Sequence, residues 1–142
     1  MTSDAVLHLI NGVHRAILAV TRGRLGWQVG KMPVLELRTT GRRSRRRRTT
    51  LLTSPLQRDD ALLLVASRGG DDRHPAWYLN LLDDPNVEVT TRHGTRPMRA
   101  RVVTSEERGE LWPLVTADHP NYAGYQRKTQ REIPLVWLEP RP

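Results

Sequence analysis

The sequence predicts an α+β protein built on a mostly antiparallel, six-stranded β-barrel with flanking helices. Two observations predict this class. Six short runs of apolar and β-branched residues follow one another at hairpin spacing, and only a few helical segments interrupt them. At 142 residues without an internal repeat, the chain also has the length of one domain that can bury a core. We therefore expect a single domain over residues 1–142.

The first 25 residues are predicted to form an amphipathic helix and a loop. Ser3 or Asp4 can cap a helix over residues 5–20, and a glycine-rich stretch follows it. The apolar residues of this helix recur at helical spacing, namely Leu9, Val13, Ile17 and Val20. This is the one segment that we expect to behave independently of the barrel, because the glycine-rich stretch can act as a hinge.

Strands are predicted from alternation and from turn residues. Apolar and polar residues alternate over residues 87–92 and again over 98–103, and the turn His93-Gly94-Thr95 joins them. Asp59-Asp60 marks another turn. The six predicted strands lie at residues 34–40, 49–54, 61–67, 87–92, 98–103 and 134–138.

Three further helices are expected between the later strands. Thr104 and Glu107 form a capping-box pattern, and Pro113 must kink the helix that follows or start a new one. The predicted helices cover residues 75–82, 104–112 and 120–128.

Positive charge is concentrated in one predicted turn. The formal net charge is +8, and six arginines occupy seven consecutive positions from Arg42 to Arg48, between two predicted strands. Arginine presents a rigid fork of donors that suits phosphates and carboxylates, so the turn predicts a seat for a polyanion. The alternative is a solvated face that touches nucleic acid non-specifically.

Several classes of function are excluded or disfavoured. The absence of cysteine excludes disulfides, thiol catalysis and thiolate metal sites. The five histidines lack metal-ligand spacing, and Ser67 does not lie in a nucleophile elbow. No apolar run approaches the roughly 20 residues of a membrane span, and we expect no signal peptide. If the protein is an enzyme, an organic cofactor must supply its chemistry, and no metal is expected.

Two other segments are candidates for a site. Ser67-Arg68-Gly69-Gly70 ends a predicted strand shortly before a helix, which suits backbone contact with an anion, although an ordinary turn is the alternative. His119, Tyr122 and Gln126 share one face of a helix, with Tyr125 at its edge. The phenols can donate protons to a substrate, or they can simply pack on the barrel.

In combination, these motifs resemble the deazaflavin-dependent nitroreductase and F420-dependent quinone reductase family. The similarity covers roughly residues 5 to 140. The matching segments are Leu37-Arg38-Thr39-Thr40-Gly41-Arg42-Arg43-Ser44, Ser67-Arg68-Gly69-Gly70, His74-Pro75-Ala76-Trp77-Tyr78-Leu79-Asn80-Leu81, His119-Pro120-Asn121-Tyr122-Ala123-Gly124-Tyr125-Gln126 and Arg131-Glu132-Ile133-Pro134-Leu135-Val136. The sequence departs from the family at Arg45, where a glycine is usual.

The resemblance implies a split β-barrel and coenzyme F420, an 8-hydroxy-5-deazaflavin with a phosphate and an oligoglutamate tail. It implies a reductase that transfers hydride to a quinone, an activated alkene such as an enone, or a nitro compound. A non-catalytic F420-binding protein or a polyanion-binding protein remains the alternative. We expect no specific nucleic acid partner, a monomer or homodimer, and a cytoplasmic location that allows peripheral contact with the inner face of the cell membrane.

The resemblance also assigns residues. Those that match substrate-facing, catalytic positions are Tyr122, Tyr125 and Ser67. Those that match cofactor-binding positions are Arg42, Arg43, Ser44, Arg48, Thr49, Thr50, Leu51, Leu52, Thr53, Val65, Ala66, Ser67, Arg68, Ala76, Trp77, Tyr78, Leu79, Asn80 and Tyr122.

Overall fold

The structure is a computed structural model that describes residues 28–29 and 32–141. Its strands are β1 (Gln28–Val29), β2 (Met32–Thr40), β3 (Arg47–Thr53), β4 (Leu56–Arg58), β5 (Ala61–Val65), β6 (Asn86–Thr91), β7 (Gly94–Val102) and β8 (Leu135–Pro140). Its helices are α1 (Ala76–Asp83), α2 (Ser105–Asp118) and α3 (Asn121–Arg127), with a single 3-10 turn at Arg68–Gly70. The predicted helix over residues 5–20 lies outside the described residues.

One antiparallel sheet holds all eight of these strands. Their order is β1-β2-β6-β7-β8-β5-β4, and β3 pairs with β2 beside this path. The sheet curls into a half-barrel, so the predicted α+β fold with an antiparallel barrel is confirmed. Within the described residues β3 pairs with no other strand, and its second edge therefore keeps backbone donors and acceptors that a ligand can use.

The sheet buries apolar side chains on both faces. Leu62 and Leu64 of β5 pack in a cluster with Trp77 of α1, whereas Leu63 packs on the other face with Tyr122 of α3. This alternation follows from the two-residue period of a strand. Burying a leucine as completely as Leu63 stabilises the fold by roughly 1.5–3 kcal/mol. Helix α1 and helix α3 are thereby fixed on opposite faces of the same strands.

Two predictions about the elements are corrected, the number of strands and the end of one helix. Six strands were expected, but the short strands β1 and β4 raise the number to eight in the part of the chain that the structure describes. The helix expected to end near Trp112 continues to Asp118 through Pro113. Pro113 is exposed, and Leu111 and Val115 on either side of it are buried, so packing holds the helix across the missing N–H.

The predicted N-cap of α2 at Thr104 is confirmed. The Thr104 hydroxyl accepts a hydrogen bond from the backbone N–H of Glu107 at 3.2 Å. No helix among the described residues is long and apolar enough to cross a membrane.

Candidate functional site

The arginine-rich segment forms a compact hairpin turn between β2 and β3, closed where Thr40 pairs with Arg47. Gly41 N–H donates to the Arg46 carbonyl at 2.8 Å, and Arg45 N–H donates to the Gly41 carbonyl at 2.9 Å. A Cβ at Gly41 would lie 2.7 Å from Ser44 Oγ and 3.2 Å from the Arg46 carbonyl. The turn therefore requires glycine at this position and holds a defined shape.

Two arginines of the turn are engaged in ion pairs. Arg45 has a φ of 60°, a conformation that glycine adopts more readily, and its guanidinium lies 3.1 Å from Asp83 at the end of α1. Arg47 lies 3.3 Å from Glu88 on β6. Both pairs are exposed and contribute little stability individually, but they anchor the turn to the helix and the sheet.

Three other arginines of the turn project into solvent. Arg43, Arg46 and Arg48 are exposed, and within residues 32–141 none of them forms an ion pair. Arg42 is half-buried, and both its backbone N–H and its Nη1 donate to Asn80 Oδ1 at 3.2 Å. Considering only the described part of the chain, the turn thus presents three arginines without a carboxylate partner on a fixed backbone.

The turn forms one wall of an open groove of about 670 Å³, and α1 forms the other. Nine of the predicted cofactor-binding residues line it, namely Arg42, Arg43, Ser44, Arg48, Thr49, Thr50, Ala76, Trp77 and Asn80. Gly41 and Arg47 complete the lining, and neither was predicted as a site residue. Basic, hydroxyl and aromatic groups therefore converge in one place, as a large anionic cofactor requires.

Asn80 fixes the junction between the turn and α1. Its side chain is 4% exposed, and its Nδ2 donates to Thr39 Oγ1 at 3.3 Å while its Oδ1 accepts from Arg42. The structure therefore shows Asn80 as a buried bridge that also reaches the groove wall.

The segment after β5 adopts an unusual backbone. Arg68, Gly69 and Gly70 all have positive φ, at 47°, 65° and 86°. Arg68 pairs with Asp71 at 2.8 Å, and Asp71 is buried. The pKa of Asp71 is lowered, chiefly by the hydrogen bond from the Arg73 backbone N–H. Burial acts in the opposite direction, and the Arg73 and Arg68 side chains lower the pKa further. The carboxylate is therefore ionised at neutral pH and balances the charge of Arg68.

Arg131 holds the same segment from the other side. Its Nε donates to the Asp71 carbonyl and its Nη2 to the Ser67 carbonyl, both at 2.9 Å, and both terminal nitrogens lie 3.3 Å from the Ala66 carbonyl. Its Nη1 is 3.2 Å from His74 Nδ1. Burial, together with the charge of Arg131, lowers the pKa of His74, so the neutral imidazole accepts this hydrogen bond.

The tyrosines of α3 lie against this segment. A Cβ at Gly70 would come within 2.7 Å of the Tyr125 carbonyl, so only glycine allows the two backbones to approach. The Tyr122 and Tyr125 rings are 6.0 Å apart and nearly perpendicular. The structure therefore brings all three predicted catalytic residues, Ser67, Tyr122 and Tyr125, to one region.

Tyr122 is buried and keeps its proton. Its hydroxyl lies 3.7 Å from Met32 Sδ, and it also interacts with Thr53 at the end of β3. Burial is the main cause that raises the pKa of Tyr122, with a smaller contribution from Tyr125. A neutral phenol can donate a proton to a developing oxyanion.

The remaining predicted residues pack around these groups. Leu51 is buried in β3, and Val65 packs on the face of the sheet that carries Tyr122. On the opposite face, the cluster around Trp77 includes Leu52, Ala66, Tyr78 and Leu79. Strand β3 links the arginine turn to the tyrosines, because Arg48 lies near one end of the strand and Thr53 at the other. At a rise of roughly 3.3 Å per residue, these two residues are about 17 Å apart.

Gln126, predicted to share a helix face with Tyr122, is occupied by hydrogen bonds to other residues. Its Oε1 accepts from Arg108 Nη2 at 3.1 Å and from Ile133 N–H at 2.9 Å, and its Nε2 donates to the Arg131 carbonyl at 2.7 Å. The Gln126 amide therefore joins α3 to α2 and to the segment that precedes β8. His119 is the residue that stays near Tyr122, with ring centroids 6.2 Å apart.

Sequence reasoning missed the supporting groups. Asp83 and Glu88 hold the turn and Arg131 holds the Ser67 segment, yet each of these residues lies far in sequence from the group that it contacts. Asp71 has the nearby partner Arg68, but the pattern Arg68-Gly69-Gly70-Asp71 was not recognised as an ion pair. For Arg131 the only signal was its place in a family motif. Within residues 28–29 and 32–141, no group of three or more potential ligands could hold a metal ion.

Comparisons with known proteins agree with this geometry. A family model described as F420H(2)-dependent quinone reductase matches residues 12–140. The chain is 41% identical over 133 residues to an F420H(2)-dependent quinone reductase of Mycobacterium tuberculosis, covering 91% of this chain and 89% of that protein.

Two solved structures are also similar. One is described as an F420-H2 dependent reductase, with 37% identity and a TM-score of 0.66, and the match covers 75% of this chain and 94% of that one. The other is described as a domain-swapped dimer, with 33% identity and a TM-score of 0.69, and the match covers 90% and 96% of the two chains.

Proposed function

Because this chain belongs to the F420H(2)-dependent quinone reductase family, we propose that it oxidises reduced coenzyme F420 and reduces a quinone to the hydroquinone. The protein is an oxidoreductase, and coenzyme F420 is its cofactor. The family therefore favours the enzyme over a non-catalytic F420-binding protein or a nucleic-acid-binding protein. The remaining questions concern how the residues of this chain serve the reaction.

The observation that carries the proposal is the groove between the arginine turn and α1. The oligoglutamate tail and phosphate of the coenzyme are anionic, and the groove offers Arg43 and Arg48 without carboxylate partners among the described residues. Charge-assisted hydrogen bonds to such groups are the strong kind. These residues, with Arg42, Ser44, Thr49 and Thr50, would hold the tail and phosphate.

The deazaflavin ring would lie farther along β3. Thr50 and Trp77 line the groove, and Thr53 at the end of the strand reaches Tyr122. The free edge of β3 supplies backbone groups for the polar edge of a flat ring. The groups that would hold the ring are those of this edge, the Ser67 segment and α3.

When bound, the coenzyme would supply a hydride, and with it two electrons, from C5 of its deazaflavin, and the quinone would gain this hydride together with one proton. The protein's part is to hold the two ring systems together, which accounts for up to roughly 7–11 kcal/mol in ideal cases. Tyr122 or Tyr125 would donate the proton to the quinone oxygen, with solvent as the alternative.

Activated alkenes and nitro compounds are proposed as further acceptors. An acceptor panel tests this: purified protein and reduced coenzyme are mixed with a short-chain naphthoquinone, an enone or a nitroaromatic compound under anaerobic conditions. We expect the highest kcat/KM with the quinone. A preference for the enone or nitroaromatic compound would move the protein's natural chemistry away from quinones.

We further propose that the protein acts at the surface of a membrane, since long-chain quinones reside there, and that it is a monomer or homodimer. Flotation with anionic lipid vesicles tests the first proposal, and light scattering of the purified protein tests the second. Failure to float at low salt would place the reaction away from the membrane.

A further inference from the structure

The segment from Ala66 to Asp71 has a strained backbone, and groups outside the segment contact it. Three consecutive residues have positive φ, and the first is Arg68, for which this conformation is sparsely populated. Such backbone persists only where surrounding groups determine it. The segment also carries Ser67 and contacts the carbonyl of Tyr125, so its shape affects the region assigned to the reacting rings.

One side chain, that of Arg131, contacts both ends of the segment. The Arg131 guanidinium donates to the carbonyls of Ala66, Ser67 and Asp71, and it contacts His74 just before α1. It therefore joins the two ends of the segment to the start of the neighbouring helix. Burial lowers the pKa of Arg131, against the opposing influence of Asp71 and Asp72, yet the group stays protonated because the pKa of arginine lies far above neutrality.

Arg131 is itself held in place from the tyrosine helix. The Gln126 side chain donates to its carbonyl at 2.7 Å, and Thr129 Oγ1 accepts from its N–H at 3.4 Å. Since Gly70 packs on Tyr125, the segment, the end of α3 and Arg131 form one unit. A change at Arg131 is therefore transmitted to both Ser67 and the tyrosines.

We propose that Arg131 is a positioning residue for hydride transfer. Arg131 fixes the carbonyls of Ala66, Ser67 and Asp71. It would thereby determine the position in which the Ser67 side chain meets the coenzyme ring. This inference rests on the proposed function, because it assigns the segment to the reacting site. The planar fork of arginine reaches several carbonyls at once, and a lysine ammonium cannot match that geometry.

The test uses Arg131→Lys, with Arg127→Lys as the matched control. Arg127 is an exposed arginine four positions earlier, with the same change of side chain. We expect Arg131→Lys to lower kcat for quinone reduction by about 10–100-fold, as small misplacements of reacting groups do. Affinity for oxidised F420 should change by less than about threefold, because the arginine turn governs it. Arg127→Lys should match the wild-type protein in both measurements.

A second readout does not depend on activity. Hydrogen exchange of the ligand-free protein should accelerate at residues 67–71 in Arg131→Lys and stay unchanged there in Arg127→Lys. In Arg131→Ala, added guanidinium ion at non-denaturing concentration should restore part of the lost kcat, which general destabilisation would not allow.

The outcomes separate this inference from the proposed function. Wild-type protein that oxidises the coenzyme with none of the acceptors refutes the function, and the exchange data then still decide whether Arg131 orders the segment. Active wild-type protein together with an Arg131→Lys variant of unchanged kcat overturns the positioning role. Failure of both Arg131 variants to fold would also overturn it, since Arg131 would then be required for folding only.

Discussion

Removing two exposed, groove-lining arginines that form no ion pair with the described residues should weaken coenzyme binding selectively. The change is Arg43→Ala with Arg48→Ala. Both side chains are exposed, line the groove and lack carboxylate partners within the described part of the chain. Removing them breaks no ion pair among the residues that the structure describes. Thermal stability should therefore stay close to that of the wild type.

The magnitude follows from the exposure of these groups. A net hydrogen bond contributes about 0.5–1.5 kcal/mol, and charge assistance raises it, whereas exposure to solvent and salt lowers it. We take about 1 kcal/mol for each arginine, which gives about 2 kcal/mol for the pair. Because about 1.4 kcal/mol corresponds to a factor of ten, Kd should rise roughly 30-fold.

The matched control is Arg45→Ala with Arg47→Ala. It removes the same amount of positive charge from the same turn, but these two guanidiniums already face Asp83 and Glu88. Titration with oxidised F420, followed by its absorption, should show a rise in Kd of only a few-fold for the control. Raising the salt concentration should weaken wild-type binding more than that of the Arg43/Arg48 variant.

Equal effects of the two double variants would refute the reasoning. The tail would then respond to the overall charge of the turn, and the division into paired and unpaired arginines would carry no functional meaning. An unchanged Kd in the Arg43/Arg48 variant would remove the turn from the cofactor site altogether.

Three further predictions follow from single positions. Tyr122→Phe removes one buried hydroxyl. If that hydroxyl donates the proton, kcat should fall roughly 10²–10⁴-fold, and the Kd for the coenzyme should stay nearly unchanged. Full activity in both Tyr122→Phe and Tyr125→Phe would assign the proton to solvent. Gly41→Ala places a methyl group 2.7 Å from Ser44 Oγ, so the turn must shift; we expect a loss of about 1–3 kcal/mol in stability by chemical denaturation together with weaker coenzyme binding, and a stable variant with normal binding would contradict the requirement for glycine. Burial lowers the pKa of His74 from its ordinary value of 6.5, so the unfolded chain takes up a proton that the folded protein resists; stability should fall as pH drops through 6.5, and His74→Gln should flatten that part of a Tm–pH profile.

Much of the fold was predictable because strands and caps leave local signals. Alternation located β6 and β7, and the Thr104 capping box located the start of α2. Strand β4 escaped prediction because it has three residues, without alternation, between Pro55 and the Asp59-Asp60 turn. The extension of α2 through Pro113 depends on packing of Leu111 and Val115, which is a tertiary effect.

The site was predictable only where its residues are close in sequence or belong to a family motif. The arginine run indicated an anion site by itself, and the resemblance supplied the groove residues from Thr49 to Asn80. Neither signal could reveal which arginines form ion pairs, because their partners Asp83 and Glu88 lie about 40 positions away. The bracing by Arg131 spans more than 55 positions and depends on the folded backbone.

The most direct test of the central claim is stoichiometric turnover without oxygen. Wild-type protein is mixed with equal amounts of reduced F420 and a short-chain naphthoquinone, and both the oxidised coenzyme and the hydroquinone are quantified. We predict one hydroquinone formed for each coenzyme oxidised, at a rate far above that of the mixture without protein. Tight binding of the coenzyme with no protein-dependent formation of hydroquinone would contradict the proposed reaction.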